Sequence, residues 1–271
     1  MATVSVDGLT LNYEVHGERG DPLVLVHGAT GDVTDWRFQV AEFAPTHRVL
    51  AMDLRGHGRS QAPADRAAYT IDRMARDVEE LIDHVAFERY HLVGHSMGGA
   101  IAQEIALRSQ ERLLSLTLFD TGYGHARVPN EALARWNAMR HQLAEEEGMA
   151  AVASMASTLA PPPFMPEARR AEERERLSRM SVDAFIGIAK GIEAWPGTRG
   201  RIETLRVPTL VVCGELDVAF LRAIQRLGEK IPGAVTEIIP QAAHSPQYER
   251  PDLFNAALRA HLERNGLTAD R

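Results

Sequence analysis

Leu92-Val93-Gly94-His95-Ser96-Met97-Gly98-Gly99 is the stretch from which the rest of the chain is ordered. Leu92 and Val93 belong to a short apolar run of strand type, Gly-x-Ser-x-Gly follows, and Ile101, Ala102, Ile105 and Ala106 then recur at helical spacing. A serine at such a strand-to-helix turn sits in a strained backbone conformation, and Gly94 and Gly98 let neighbouring backbone approach while the hydroxyl is pushed outward. Serine also caps helices, but a cap does not need glycine on both sides. The spacing therefore predicts a nucleophile at Ser96. A serine hydroxyl attacks poorly at neutral pH, so the chain must also supply a base, an acid that orients the base, and donors for an oxyanion.

Upstream, residues 3–6 and 9–15 flank Asp7-Gly8, a dipeptide that favours a tight hairpin turn. Leu23-Val-Leu-Val26 is too continuously apolar for a half-exposed strand and predicts a central one. It runs into His27-Gly28-Ala29-Thr30-Gly31, a glycine-bracketed loop at the carboxyl end of a buried strand, where open α/β sheets place ligands. Residues 48–52 form another strand, and the loop Asp53-Leu-Arg-Gly-His-Gly-Arg-Ser60 follows. Charges beside paired glycines usually fix a loop through hydrogen bonds, so Asp53, Arg55 and His57 are read as structural. A helix over 70–85 carries Ile71, Met74, Val78, Leu81 and Val85 on one stripe.

Downstream come a strand over 113–119 ending at Asp120, a strand over 209–213, a helix bearing Phe220, Leu221, Ile224 and Leu227, and a strand over 235–239. The last helix opens at Pro251, buries Leu253, Phe254, Ala257, Leu258 and Leu262, and stops before Gly266. Strands alternating with helices predict an α/β fold, a mostly parallel, twisted, eight-stranded sheet with helices on both faces.

Between 122 and 205 the alternation is suspended, and helices joined by Pro161-Pro-Pro-Phe-Met-Pro166 predict an inserted lid on a core made of 1–121 and 206–271. Its charged run, Glu167-Ala-Arg-Arg-Ala-Glu-Glu-Arg-Glu-Arg176, has opposite signs at i,i+4, as in Glu172 with Arg176 and Glu175 with Arg179, and reads as a solvated helix face. Trp136, Met139, Met149, Met155, Phe164, Met165, Phe185, Ile188 and Trp195 are its apolar counterpart, a minority of which would line a pocket.

At 271 residues and 45% hydrophobic content the chain can bury a large core as one domain with an insertion. A net charge of -7 with no clustered basic face argues against a nucleic-acid partner. The lone Cys213 lies in an apolar run and reads as a small buried hydrophobe. The first residues lack a basic start with a long apolar stretch, and no run approaches the roughly 18 apolar residues that span a bilayer, which predicts a cytoplasmic protein with no membrane span. No metal site or nucleotide motif is visible, so neither cofactor nor metal is expected; the oligomeric state is left open.

Taken together, His27-Gly28, Asp53-Leu-Arg-Gly-His-Gly, Gly94-His-Ser-Met-Gly-Gly99, Gly214-Glu-Leu-Asp217 and Ala243-His244-Ser-Pro resemble the α/β-hydrolase family, in particular its lid-bearing esterases, lactonases and carbon–carbon bond hydrolases. The resemblance runs from about Leu9 to Leu262 outside the lid. It implies Ser96 as nucleophile, His244 as base and Asp217 as the acid that orients it, with Asp120 as the rival acid and Glu215 directing the loop. It implies oxyanion donors in the backbone N–H groups of Ala29 and Met97. His95 points away from Ser96 by strand alternation. Candidate substrate contacts are Thr30, Trp36, Trp136, Met155, Phe185 and Trp195. Serine at the elbow disfavours the epoxide hydrolase and haloalkane dehalogenase reactions, whose enzymes carry aspartate there. The implied activity is hydrolysis of a carboxylic ester or lactone of a small, largely apolar substrate; carbon–carbon cleavage of a vinylogous diketone and a small-molecule receptor are the alternatives.

Overall fold

In the computed structural model, residues 2–124, 131–156 and 165–267 are described. Eight strands form one sheet: β1 (Ala2–Val6), β2 (Leu9–His16), β3 (Pro22–Val26), β4 (Arg48–Met52), β5 (Tyr90–His95), β6 (Leu113–Phe119), β7 (Thr209–Gly214) and β8 (Val235–Ile239). Their order is β1-β2-β4-β3-β5-β6-β7-β8. β1 and β2 are antiparallel, joined by Asp7 and Gly8 at φ 52 and 73, the paired positive φ of a tight hairpin turn. β2 is antiparallel to β4, and the pairings from β4 through β8 are parallel.

The continuous apolar runs follow from coverage on both faces. Val24, Val26, Leu50, Met52, Leu92, Leu116 and Val211 point to one side, where helices α2 (Ile71–His84), α3 (Met97–Ser109) and α8 (Leu221–Lys230) pack. Leu23, Leu25, Val49, Val93, Leu210 and Val212 point to the other, against Trp36, Phe43 of α1 (Arg37–Phe43), and Phe254, Leu258 and Leu262 of α10 (Pro251–Asn265). The ends of α2 fall one residue inside the predicted 70–85, because Thr70 is its cap and accepts the N–H of Arg73 at 3.1 Å. A further short helix, α9 (Pro246–Glu249), precedes α10.

Among the described residues between β6 and β7 are four α-helices: α4 (Glu131–Glu147), α5 (Met149–Ala156), α6 (Glu167–Arg179) and α7 (Val182–Ala194). Ala144, Met149, Val152, Leu177, Phe185 and Ile186 make a small core of their own. α7 also docks on the main core through Ala184 and Ile188. Glycine is required at that contact, since a Cβ at Gly191 would lie 1.8 Å from the Tyr69 carbonyl oxygen. Phe164 and most of the proline segment lie outside the described residues.

The charged run on α6 departs from its sequence reading. Arg179 pairs with Glu175 as expected, but Glu172 pairs with Arg37, and Arg169 and Arg176 turn inward to Asp35. Both partners of the Arg169–Asp35 pair are buried. A cavity of about 550 Å³ at this junction is lined by Asp32, Arg37, Glu172 and Arg176 among others, and neither Ser96 nor His244 lines it.

Candidate active site

The sheet order decides where a site can form. From β3 the chain moves to β4 on one side, then returns to β5 on the other, so the carboxyl ends of β3 and β5 flank a topological switch point. His27-Gly28-Ala29 leaves β3 there, and Ser96 leaves β5. Asp217 follows β7 and His244 follows β8, so all four segments emerge at the same edge.

Ser96 has φ 51 and ψ -113, a conformation disfavoured for a residue with a side chain and held by its surroundings. Its N–H donates to the Phe119 carbonyl at 3.0 Å, and its own carbonyl accepts the Thr121 hydroxyl at 2.7 Å. The flanking glycines permit close crossing: a Cβ at Gly98 would come 2.2 Å from the Val26 carbonyl oxygen, and one at Gly94 2.4 Å from that of Gly98.

His244 Nε2 lies 3.1 Å from Ser96 Oγ, and His244 Nδ1 lies 2.6 Å from Asp217 Oδ2. A carboxylate only accepts, so Nδ1 carries the proton and Nε2 presents its lone pair to the hydroxyl. Burial opposes ionisation of Asp217, but the hydrogen bond and charge of His244 outweigh it and hold the carboxyl below its ordinary 3.8. Burial likewise works against the imidazolium of His244, yet the hydrogen bond to Asp217 and the nearby carboxylates raise its pKa above 6.5. The His244 side chain is 41% exposed, open to a reacting molecule, and the Phe220 ring lies 5.0 Å from its own.

Asp120, the rival acid, faces the same cluster: ligand atoms of Asp120, Cys213 and Asp217 lie within 4.8 Å of one another. Asp120 is fully buried and accepts the Gly214 N–H at 3.1 Å. Burial drives its carboxyl well above 3.8; His244 pulls the other way, and Asp217 adds to the rise. Glu215 accepts the N–H of Gln241 at 3.0 Å and so fixes the neighbouring loop. Burial pushes the Cys213 thiol far up, in keeping with an inert side chain.

The N–H groups of Ala29 and Met97 have no hydrogen-bond partner among the described residues. Their loops are adjacent, because a Cβ at Gly28 would lie 3.2 Å from Ser96 Cβ. The His27 ring holds the first loop, with Nδ1 2.8 Å from the Gly28 carbonyl oxygen and Nε2 accepting the Leu54 N–H at 3.1 Å. Asp53 accepts N–H groups of Val33 and Arg59, and Arg55 forms a buried pair with Asp77.

The six pocket candidates separate. Trp36 is 0% exposed and stands edge-on to Phe119, so it is core. Trp195 packs on the main core and donates from Nε1 to Glu104 at 2.8 Å. Phe185 belongs to the core of the inserted helices. Thr30 stands beside Ala29 at φ 62, and Trp136 and Met155 are half-buried on α4 and α5.

Two residues near His244 escaped the sequence reading. Strand alternation gives His95 only a direction relative to Ser96 and misses its contact, in which Nε2 lies 2.7 Å from the His244 carbonyl oxygen. Glu249 accepts the N–H groups of Ala243 and Ser245 at 2.5 and 3.1 Å. Glu249 lies four residues beyond Ser245, one too many for the capping-box spacing, so that signal in the sequence does not single it out.

Residues 23–257 match the model of the alpha/beta hydrolase family. The chain belongs to that family. The hydrolase is 30% identical to 3-oxoadipate enol-lactonase 2 of Acinetobacter baylyi, over 97% of this chain and 96% of the relative. It is also 30% identical to a putative 2-succinyl-6-hydroxy-2,4-cyclohexadiene-1-carboxylate synthase of Bacillus subtilis, over 97% and 99%. Among solved structures, the enol-lactonase from Burkholderia xenovorans LB400 superposes on the hydrolase with a TM-score of 0.85 at 28% identity, covering 97% of this chain and 100% of the other. Among the described residues, no helix of the hydrolase is long and apolar enough to cross a membrane.

Proposed function

We propose that this hydrolase cleaves a carboxylic ester or lactone of a small, largely apolar substrate through an acyl-enzyme on Ser96. The observation that carries the reading is the chain of contacts from Asp217 through His244 to Ser96, 2.6 and 3.1 Å long. His244 takes the hydroxyl proton as Ser96 attacks the carbonyl, and Asp217 keeps the imidazole in the required tautomer and stabilises the imidazolium. The tetrahedral oxyanion is held by the N–H groups of Ala29 and Met97, and a single such donor contributes roughly 3 to 4 kcal/mol to the transition state. His244 then returns the proton to the leaving oxygen, which in a lactone stays attached to the acyl group. Water activated by His244 releases the acid and restores Ser96.

In this reading 1–121 and 206–271 form the catalytic core, and 122–205 form a lid. Thr30, Trp136 and Met155 are the side chains proposed to meet substrate. The similarity to two enol-lactonases supports this class of bond. The test is turnover of p-nitrophenyl butyrate by the wild type and Ser96→Ala. A loss of about 10³-fold or more is expected; a variant that retains wild-type turnover refutes the assignment.

A further inference from the structure

The peptide that joins His244 to Ser245 is gripped at both edges. Its carbonyl oxygen lies 2.7 Å from His95 Nε2, and its N–H donates to Glu249 Oε1 at 3.1 Å. Glu249 Oε2 also accepts the N–H of Ala243 at 2.5 Å. One carboxyl group thus spans the residue that carries the imidazole, while a ring from β5 holds the far edge.

The local sequence explains why Glu249 is available. Ser245 opens α9 with no capping bond from its own side chain, and Pro246 at the next position has no N–H to satisfy. The acidic residue at the other end of the four-residue helix reaches back to the entering backbone, a variation on the capping box. Ordinary capping needs one N–H; Glu249 takes two, on either side of His244. The two N–H donors reach different oxygens of Glu249, Oε2 and Oε1, and an ionised carboxylate offers both as full acceptors. Glu249 is only 8% exposed, so its bonds compete little with water.

We propose that Glu249, acting with His95, is a positioning residue for His244, setting the direction of the imidazole and adding a negative charge beside it. This rests on the reading of His244 as the base of the Ser96 reaction. Four groups face His244: Asp217 from the loop after β7, Asp120 from that after β6, His95 from β5 and Glu249 from α9. Glu173 of α6 faces Glu249 from the other side, and Asp35 stands near His95. Asp217, Asp120 and Glu249 each favour the imidazolium of His244, and burial raises the carboxyl of Glu249 itself while its two N–H bonds and His244 pull the other way.

The experiment compares kcat, KM and the pH profile of kcat/KM for p-nitrophenyl butyrate in the full-length wild type, Glu249→Gln, His95→Gln, His95→Ala and Ser96→Ala. Glutamine at 249 keeps the size and one acceptor, but loses the charge and turns an amino group toward the second N–H. The expected result is a kcat about 10- to 100-fold lower, since small misplacements of a catalytic group cost that much, with KM within about threefold. The acid limb is expected to move to lower pH, because a charge that favoured the imidazolium is gone. A wild-type kcat with an unmoved limb overturns the proposal. So does a loss of kcat that merely tracks the folded fraction by circular dichroism with the limb unmoved. If Glu249→Gln does not fold, the His95 pair decides: His95→Gln, which keeps a donor, should retain most of the activity that His95→Ala loses, and equal, wild-type activity in both overturns the proposal. An active Ser96→Ala defeats the underlying reading, whereas an inactive Ser96→Ala beside an unaffected Glu249→Gln defeats this inference alone.

Discussion

Asp35 and Arg169 form a buried ion pair between chain segments 134 residues apart, fastening α6 to the turn that follows the Gly28–Gly31 loop. Arg176 reaches the same Asp35 oxygen at 2.7 Å, and the Arg169 guanidinium lies 4.4 Å from the centre of the Tyr248 ring. Burial alone would raise the Asp35 pKa, but Arg176 and Arg169 outweigh it and hold the carboxyl far below its ordinary 3.8.

Asp35→Asn removes the carboxylate that two guanidinium groups share, while Arg169 keeps Glu173 and Arg176 keeps Asp32 as partners, and it is expected to lower stability by about 1.5 to 3 kcal/mol in urea unfolding at neutral pH. The pH dependence has a definite sign. The folded pKa is depressed, so the contribution is complete above about pH 4 and is lost as the pH falls below it. Asp35→Asn should flatten that part of the curve; an unchanged acid limb would mean that the pair contributes nothing net.

Three buried histidines set a second acid window. Burial is the leading cause that pushes His57, His91 and His95 down to about 3 each. The unfolded chain takes up their protons near pH 6.5 while the folded chain refuses them, so stability is full above about 6.5 and declines as the pH falls toward 3. Unfolding midpoints measured between pH 7 and 4.5 should fall steadily, and His91→Gln, which removes a ring whose Nδ1 lies 2.8 Å from Ser115 Oγ, should reduce the slope.

Asp217→Asn is expected to cut kcat/KM by about 10³- to 10⁴-fold with the fold intact, because the amide cannot hold His244 in the tautomer that accepts the Ser96 proton. Asp120→Asn should change it less than about threefold, since asparagine has the shape of the neutral acid that burial favours. Reversed kinetic effects would transfer the acid role to Asp120.

Gly98→Ala would bring a Cβ to 2.2 Å from the Val26 carbonyl oxygen, a backbone atom that cannot step aside. A loss above about 2 kcal/mol and loss of activity are expected. Gly148→Ala meets no atom within 4 Å and carries only the strain of a positive φ, so its cost should be about 1 kcal/mol. Thermal unfolding of the two variants side by side checks the contrast.

The sheet was legible because strands covered on both faces read as unbroken apolar runs, as in Leu23-Val-Leu-Val26, and because Asp7-Gly8 and Pro251 punctuate local structure. Ser96 was legible in Gly94-x-Ser-x-Gly98 after an apolar strand, whereas Asp217 and His244 were legible only through the resemblance of their loops, since β8, the strand before His244, is exposed over most of its length. Contacts that depend on distant chain meeting in space were not. Arg169 sits in a run whose i,i+4 signs suit a solvated face, and only the approach of Asp35 turns it inward. Trp36 lies just past a functional loop, yet the helix it precedes rotates it into the core against Phe119. For His95, strand alternation gave a direction relative to Ser96 but could not reveal that the loop after β8 folds over that side.

The most direct measurement is covalent trapping. The full-length enzyme would be treated with a p-nitrophenyl alkylphosphonate, digested, and its peptides weighed by mass spectrometry. The account predicts one phosphonyl adduct per chain, on Ser96, loss of esterase activity in step with labelling, and no adduct in Ser96→Ala. Ester turnover that persists in fully labelled enzyme, or an adduct on another residue that tracks inactivation, would contradict it.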